Sequence, residues 1–231
     1  MAVTSGYEQQ TWVVVPALNE GKVIRSSITA LRAVFANVVA VDDGSKDATG
    51  AEALEAGAVV VRHPLNLGQG AAIQTGLEFA LSRGAAYVAT FDADGQHRAE
   101  DLQRMLHLLC REQCDIVLGS RFLGRTEGMS RTRFLLIKAA AIFTNLTTGV
   151  RLTDAHNGLR VMTADTARRL HIMQDRMAHA SEIIARIGQM RLKVREAPVT
   201  VTYSSYSTAK GQKMSNSYRI LLDLFVGWLL R

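Results

Sequence analysis

The stretch Phe91-Asp92-Ala93-Asp94-Gly95-Gln96-His97 decides how the rest of this sequence is interpreted. It follows a short run, 87–91, whose β-branched and aromatic residues are typical of a buried strand. Two carboxylates one residue apart at the carboxyl end of a strand are placed to bind one Mg²⁺ or Mn²⁺. We therefore expect Asp92 and Asp94 to be metal ligands, with the amide oxygen of Gln96 as a third. Two solvated turn aspartates are the simpler alternative.

On both sides of this stretch, short apolar runs alternate with longer segments of helical periodicity. The pattern predicts strands over 12–15, 38–41, 58–61, 87–91 and 115–118. It predicts helices over 20–35, 46–56, 69–83 and 99–113. Such alternation is typical of a single α/β domain with a mostly parallel central sheet, whose ligand site lies outside the carboxyl ends of the strands.

After residue 118 the alternation is lost. We predict a basic, glycine-containing loop over 119–133, an apolar helix over 134–148, a strand over 159–162, a helix over 181–190 and an extended segment over 192–201. The α/β domain is expected to span 1–203. Residues 204–231 would form a mobile loop and an apolar C-terminal helix, 218–230, which is shorter than the roughly 20 residues that span a bilayer. That helix either lies at a membrane interface or docks on the domain or on a second subunit.

The composition is that of a folded protein whose charge is unevenly divided. Of the 231 residues, 48% are hydrophobic and 21% are charged, which excludes a largely disordered chain. Residues 1–115 contain 9 Lys and Arg against 14 Asp and Glu, whereas residues 116–231 contain 18 against 7. Unless these charges merely solubilise the surface, the first half handles cations and the second half meets anions such as phosphates or an anionic membrane.

Two further features favour a cytoplasmic protein. Residues 1–10 lack the basic and apolar regions of a signal peptide. Cys110 and Cys114 have no second pair to complete a zinc site, so we interpret them as reduced thiols. The basic stretch 121–133 lacks interleaved aromatic residues, and we expect no nucleic-acid partner.

Three other polar turns follow predicted strands. They are Pro16-Ala17-Leu18-Asn19-Glu20, Asp42-Asp43-Gly44-Ser45 and Asn66-Leu67-Gly68-Gln69-Gly70. The carboxylates of the second turn either accept hydrogen bonds from a ribose or a base or serve as turn residues, and Ser45 is placed to cap the next helix. The third turn fails the dinucleotide-binding pattern because residue 73 is Ile.

Two other readings of the paired aspartates are weaker. A calcium loop starting at residue 90 would have Thr as its first ligand and a strand before it. A phosphatase of the haloacid dehalogenase type uses a strand followed by Asp-x-Asp-Gly, but that motif usually lies on the first strand and is followed by Thr. Here Gln96 follows, and the strand is the fourth. The phosphatase stays as a minor enzyme alternative, and a nucleotide-binding, membrane-associated scaffold as a non-enzymatic one.

Taken together, the four motifs resemble those of the GT-A glycosyltransferases of family 2, above all the polyprenyl-phosphate (dolichyl-phosphate) mannose and glucose synthases. The resemblance covers about residues 12–202. It implies a Rossmann-like GT-A domain and a metal-dependent, inverting transfer of a sugar from a nucleotide-sugar donor. The implied acceptor is a polyprenyl phosphate or a lipid-linked saccharide, which places the protein on the inner face of the membrane as a peripheral protein, with homo-oligomers possible.

The resemblance also assigns roles to individual residues. The nucleotide site would contain Pro16, Ala17, Asn19, Glu20, Asp43 and Gly70, and the metal, Mg²⁺ or Mn²⁺, would be held by Asp92, Asp94 and Gln96. Arg121 and Arg133 would face the acceptor phosphate, and Lys210 would close over the donor diphosphate. Asp154 begins a segment similar to the family's Asp-to-Gly-Phe-Arg segment, although here Leu159 replaces the Phe and His156-Asn157 is unusual.

The catalytic set implied by this resemblance is Asp154, Arg121 and Lys210. Displacing a nucleoside diphosphate requires neutralisation of the charge on the leaving group, which the metal, Lys210 and the arginines would supply. A lipid phosphate is already anionic and needs no general base. A sugar hydroxyl does need one, and Asp154 is then the candidate, unless it is only a turn or cap carboxylate.

Overall fold

The structure is a computed structural model that describes residues 6–174 and 179–203. The predicted C-terminal loop and helix, with Lys210, therefore lie outside the described residues. The strands are Thr11–Ala17 (β1), Asn37–Asp42 (β2), Val59–Arg62 (β3), Tyr87–Thr90 (β4), Ile116–Glu127 (β5), Arg160–Thr163 (β6) and Val194–Thr202 (β7). The helices are Ile24–Arg32 (α1), Thr49–Glu55 (α2), Gln69–Ser82 (α3), Ala99–Glu112 (α4), Arg131–Thr148 (α5), Ala164–Leu170 (α6) and His179–Gln189 (α7), after a short 3-10 helix at Glu8–Gln10.

The strands form one sheet in the order β3-β2-β1-β4-β6-β5-β7. Strands β1 to β4 are parallel, β6 runs antiparallel to both of its neighbours, and β7 is parallel to β5. The expected α/β fold with a mostly parallel sheet is confirmed.

The core lies on both faces of this sheet. Val13 and Val15 of β1 pack with α1, α2 and α4 on one face, whereas Val14 packs with α3, α6 and α7 on the other. Both faces are covered, which explains why β1 is apolar at consecutive positions rather than at alternate ones.

The order of the strands reverses at β1. After β1 the chain builds β2 and β3 on one side, then returns to place β4 on the other side of β1. The connection after β1 therefore leads towards β2 and the one after β4 towards β5, and open α/β sheets bind their ligands beside such a reversal. We call the space beside these two strand ends the crevice. The loops that start after Ala17 and Thr90 lie at this crevice.

The predicted loop over 119–133 is wrong. Strand β5 continues to Glu127 and pairs again with β7, from Arg125 beside Thr200 to Glu127 beside Thr202, after a break in register. Gly124 allows this pairing because a Cβ there would overlap the backbone of Val199. The predicted helix 134–148 begins three residues earlier, at Arg131, because Ser130 Oγ accepts a hydrogen bond from the Arg133 amide and caps it.

Across the part of the chain that the structure describes, no helix combines the length and the apolar character needed to cross a membrane.

Candidate active site

The two predicted metal ligands lie in the turn that directly follows β4. Asp92 Oδ1 accepts a hydrogen bond of 3.0 Å from Gln69 Nε2, and its Oδ2 is 3.6 Å from His97 Nε2. Asp94 Oδ1 accepts a 3.1 Å hydrogen bond from the backbone N–H of Gln96. The turn is thus held by its own backbone and by α3, and it presents both carboxylates at the crevice beside β1.

The electrostatics of this pair favour a bound cation. Burial and the charge of Asp92 raise the pKa of Asp94 to about 6. Burial would also raise the pKa of Asp92, but His97, Arg160 and His179 hold that pKa below its ordinary value. Asp92 is therefore stabilised as an anion, and its charge destabilises the ionised form of Asp94. A bound divalent cation would relieve this repulsion.

The residues present fit Mg²⁺ or Mn²⁺. Among the described residues, no three His, Cys, Asp or Glu side chains are grouped to hold an ion. Asp92 and Asp94 would therefore share a cation with the Gln96 amide oxygen, with water and with the oxygens of a bound phosphate. Such all-oxygen sets with few carboxylates are what Mg²⁺ uses at phosphate-binding sites.

We expect Mn²⁺ to raise the melting temperature at pH 7.5 and to lose most of this effect at pH 5. A metal ligand must be deprotonated, and the raised pKa of Asp94 means that a proton competes with the metal as the pH falls through about 6. Thermal unfolding at a fixed Mn²⁺ concentration over this pH range checks the prediction. An Asp94→Asn variant should show little stabilisation at either pH, and equal stabilisation of the wild-type protein at both would contradict the assignment.

The loops after β1 and β2 are fastened to each other and form one wall of the crevice. The Asn19 amide donates to Ser45 Oγ, and Asn19 Oδ1 accepts from the Lys46 amide, both at 2.9 Å. The Glu20 amide donates to Thr49 Oγ1 at 2.8 Å. Asn19 adopts φ +54°, a left-handed conformation that Asn tolerates well. Ser45 therefore holds Asn19 and does not cap α2, which corrects its predicted role.

Asp43 shapes the neighbouring turn. Its two carboxylate oxygens accept hydrogen bonds from the amides of Leu67 and Gly68 at 2.9 and 2.8 Å, and His63 Nδ1 is 2.8 Å away. The residue is only 3% exposed. In this structure Asp43 positions the turn that leads into α3, and its direct contact with a ribose or a base stays a prediction.

The first turn of α3 links this wall to the metal turn. Gln69 donates its side-chain hydrogen bond to Asp92. The next residue, Gly70, lies so close to Gln174 that a Cβ would overlap the backbone carbonyl oxygen of Gln174. Gly70 thus permits close packing here, while its predicted contact with the nucleotide is untested. Gln69 was not predicted as a site residue, although its position between two glycines at the start of a helix was a usable signal.

Arg121 and Asp154 form a buried ion pair. Arg121 Nε donates to Asp154 Oδ2 at 2.6 Å, and the same oxygen accepts from the Arg121 amide at 3.1 Å. Asp154 is 1% exposed and Arg121 is 9% exposed. Burial alone would lower the pKa of Arg121, but the carboxylate of Asp154 and the hydroxyl of Tyr203 raise it above its ordinary value. Both charges are thus already engaged within the protein.

Tyr203, at the end of β7, connects the two arginines that were predicted to face an acceptor phosphate. Its hydroxyl accepts a 2.9 Å hydrogen bond from Arg121 Nη1, and the guanidinium carbon of Arg133 lies 4.7 Å from the centre of its ring. Tyr203 was not predicted as a site residue, because it falls just beyond the predicted extended segment. The structure brings Arg121, Arg133 and Asp154 together around this ring.

The loop between Asp154 and β6 approaches the metal turn. The carbonyl oxygen of Gly158 accepts a 2.7 Å hydrogen bond from Thr90 Oγ1. Just before it, both ring nitrogens of His156 and the side-chain nitrogen of Asn157 are buried without a hydrogen-bond partner among the described residues. Burial, with the charges of Arg121 and Arg160, lowers the pKa of His156 to about 4, so the ring is neutral at pH 7.

Replacing Gly158 by Ala should lower activity about 10²-fold. A Cβ at this position would overlap Asp92 Oδ2 and lie 2.7 Å from Asp92 Oδ1, so either the carboxylate or the loop must move. Displacements near 1 Å cost rates of this order. The matched control is Gly6→Ala, because a Cβ at Gly6 meets nothing within 4 Å. Steady-state kinetics and Mn²⁺ titration of both variants check this, and unchanged Mn²⁺ affinity and rate in Gly158→Ala would contradict it.

Comparisons with known proteins point to one family. The family model described as "Glycosyl transferase family 2" matches residues 12–168. The UDP-N-acetylglucosamine–dolichyl-phosphate N-acetylglucosaminyltransferase of Methanococcus voltae is 28% identical, over 93% of this chain and 94% of that protein. The undecaprenyl-phosphate mannosyltransferase of Micrococcus luteus is 29% identical, over 81% of each chain.

A solved structure has the same fold. Glucosyl-3-phosphoglycerate synthase from Mycobacterium tuberculosis, in complex with Mn²⁺, uridine diphosphate and glucosyl-3-phosphoglycerate, superposes with a TM-score of 0.73 at 17% identity. The match covers 96% of this chain and 81% of that one. The expected GT-A fold is thereby confirmed. The phosphatase and scaffold alternatives are set aside, since the chain is a glycosyltransferase and belongs to glycosyl transferase family 2.

Proposed function

We propose that this glycosyltransferase moves a sugar from a nucleoside diphosphate donor to a polyprenyl phosphate, with inversion at the anomeric carbon. Two relatives whose names specify lipid-phosphate acceptors support this acceptor class. The observation that carries the choice is the buried ion pair between Arg121 and Asp154. Because the carboxylate of Asp154 is occupied by Arg121, it is poorly placed to act as a general base. Of the two candidate acceptors, only the polyprenyl phosphate reacts without such a base.

The donor would lie in the crevice between β1 and β4. The fastened loops that contain Pro16, Ala17, Asn19 and Glu20, together with the turn positioned by Asp43, would form the nucleotide wall. Asp92, Asp94 and Gln96 would hold Mg²⁺ or Mn²⁺, which when bound neutralises the charge that develops on the diphosphate. Gln69 and His97 orient Asp92 for this task. Lys210, beyond the described residues, is proposed to contact the same diphosphate.

Arg133 is the better of the two candidates for binding the acceptor phosphate. The guanidinium of Arg121 already donates hydrogen bonds to Asp154, to Tyr203 and to the carbonyl oxygen of His156. Among the described residues, no carboxylate pairs with Arg133, whose guanidinium lies on the Tyr203 ring. We therefore assign Arg133 to the incoming phosphate, and we assign Arg121 mainly to holding Tyr203 and the loop that follows Asp154.

The reaction then needs one displacement. A phosphate oxygen of the acceptor forms a bond to the anomeric carbon while the bond from that carbon to the donor diphosphate breaks on the opposite face. The products are a polyprenyl-phosphate sugar and a nucleoside diphosphate, and no proton has to be removed from the nucleophile. Since the donor is water-soluble and the acceptor is a membrane lipid, we place the enzyme at the cytoplasmic face of the membrane as a peripheral protein.

A screen of radiolabelled nucleotide sugars with purified protein, Mn²⁺ and a lipid extract tests this function. We expect label from at least one donor to enter the organic phase in a product that mild acid cleaves, as a sugar phosphodiester should be. Label that stays in the water phase with every donor contradicts the proposal. Transfer to a lipid-linked saccharide instead would favour a hydroxyl acceptor, and with it a role for Asp154 as general base.

A further inference from the structure

Helix α5 carries an apolar stripe on its outward side. Leu135, Ile142 and Leu146 are 65%, 55% and 80% exposed, and Ala139 between them is exposed as well. Steps of four, three and four residues place these side chains on one face of the helix. The opposite side packs inward through buried residues such as Ala141. We call these four outward residues the α5 stripe.

The apolar surface continues past the start of the helix. A shallow cleft of about 290 Å³ lies there, lined by Thr126, Met129, Arg131, Phe134 and Leu135. Phe134 is 37% exposed, and its ring packs edge-on against that of Phe122 in β5, with 5.1 Å between ring centres. Leu135 belongs to both the stripe and the cleft. The two form one apolar surface, which is larger than the isolated exposed side chains that need no explanation.

The charged residues of the segment that carries this surface are almost all positive. Between residues 123 and 151 the exposed cations are Arg125, Arg131, Lys138 and Arg151. The same segment contains one carboxylate, Glu127, whose oxygen lies 3.4 Å from Arg98 outside the segment. An apolar helix face with a basic border is the pattern of a helix that lies in the headgroup region of an anionic membrane.

We propose that the α5 stripe and its cleft dock on an anionic lipid bilayer. Two other occupants are less suitable on grounds of charge. A second copy of this face would bring the same cations. Residues 204–231 contain four Lys and Arg, at 210, 213, 219 and 231, against one Asp at 223, so they also carry the wrong sign. Acidic headgroups complement the basic border, and the stripe supplies the apolar contact beneath them.

This docking would also orient the site. Arg133 lies in the first turn of α5, but its guanidinium is directed to the Tyr203 ring, which in turn contacts Arg121. The bilayer would therefore lie about one helix diameter, roughly 10 Å, from the arginine cluster. The inference does not rest on the proposed acceptor, because the surface is defined by α5 and the cleft beside it. It explains how that cluster could reach a lipid phosphate.

Co-sedimentation of the full chain with sucrose-loaded vesicles tests the proposal. We expect binding to vesicles of equal phosphatidylglycerol and phosphatidylcholine, and at least tenfold weaker binding for Ile142→Asn/Leu146→Asn. The matched control is Leu54→Asn/Leu65→Asn, whose leucines are 63% and 58% exposed, in α2 and in the loop before α3, and whose substitution should leave binding unchanged. Equal melting temperatures establish that each variant is folded.

A second variant, in which charges are removed, tests the same surface if Ile142→Asn/Leu146→Asn does not fold. Arg131→Gln/Lys138→Gln should weaken binding to the anionic vesicles about fivefold for each cation removed at low salt, and much less at 0.5 M salt. The control here is Arg83→Gln/Arg168→Gln, two exposed cations on other helices.

Two results would overturn the proposal. One is unchanged vesicle binding by the α5 variants, which would assign membrane contact to other residues such as 204–231. The other is a concentration-dependent dimer, seen in analytical ultracentrifugation, that the same substitutions dissociate without any vesicle binding by the wild type. Neither measurement uses a nucleotide sugar, so failure of the proposed transfer reaction would be seen separately.

Discussion

Replacing Asp92 by Asn is expected to lower kcat/KM for sugar transfer about 10³-fold and to abolish the stabilisation by Mn²⁺. The substitution keeps the size of the side chain but removes the charge that Gln69 and His97 orient toward the crevice. Stabilising the charge on a departing diphosphate is worth several kcal/mol, and each 1.36 kcal/mol corresponds to a factor of ten in rate. Steady-state kinetics and metal titration on the same preparation measure both effects.

The matched control for this variant is Asp165→Asn. The side chain of Asp165 is 71% exposed and forms an ion pair with Arg169 on the surface of α6, away from the metal turn. We expect its activity and its Mn²⁺ response to equal those of the wild type. An Asp92→Asn enzyme that keeps more than a tenth of the wild-type activity would contradict the metal assignment.

The second large effect concerns stability. Asp154→Asn should lower the free energy of unfolding by about 3–5 kcal/mol, because it leaves the guanidinium of Arg121 buried without a counter-charge. Urea unfolding measures this change. Asp165→Asn again serves as the control, because its exposed pair with Arg169 should be worth only about 0.3–0.5 kcal/mol. Removing both buried charges, in Arg121→Met/Asp154→Leu, should cost less than the single Asp154→Asn change.

The same variant distinguishes a positioning role for Asp154 from a role as general base. If Asp154 holds Arg121 and Tyr203, Asp154→Asn should raise KM for the acceptor and leave the shape of the pH–rate profile unchanged. A base that accepts the nucleophile's proton would instead produce a large loss of kcat and the disappearance of the acidic limb. The second outcome, together with little loss of stability, would contradict our account of the buried pair.

Much of the fold followed from local patterns in the sequence. The five strands predicted between residues 12 and 118 are present, because buried parallel strands are short apolar runs bounded by turns. The segment 119–133 was predicted wrongly for a physical reason. Its glycines and charges are typical of a loop, yet residues 119–120 and 125–127 pair with β7, about 75 residues later in the sequence. Pairing with so distant a partner leaves no local signal.

The candidate site was predictable to the same extent. The position of Asp92 and Asp94 in the turn after a buried strand was predicted correctly because that pattern is local, while their role as metal ligands stays a prediction. Tyr203 was not found, because its importance rests on a hydrogen bond to Arg121, 82 residues away. For Asp43 the local pattern also left the partners within the protein unknown, since its carboxylate accepts hydrogen bonds from amides of a turn 24 and 25 residues later, and its contact with a ligand stays a prediction.

The most direct test of the central claim uses purified protein, Mn²⁺, one accepted nucleotide sugar and two defined acceptors, a short-chain polyprenyl phosphate and a polyprenyl-diphosphate-linked saccharide. Our account predicts that the labelled sugar is found on the polyprenyl phosphate, with the anomeric configuration opposite to that of the donor. Transfer to the saccharide alone, or a product that retains the configuration of the donor, would contradict it.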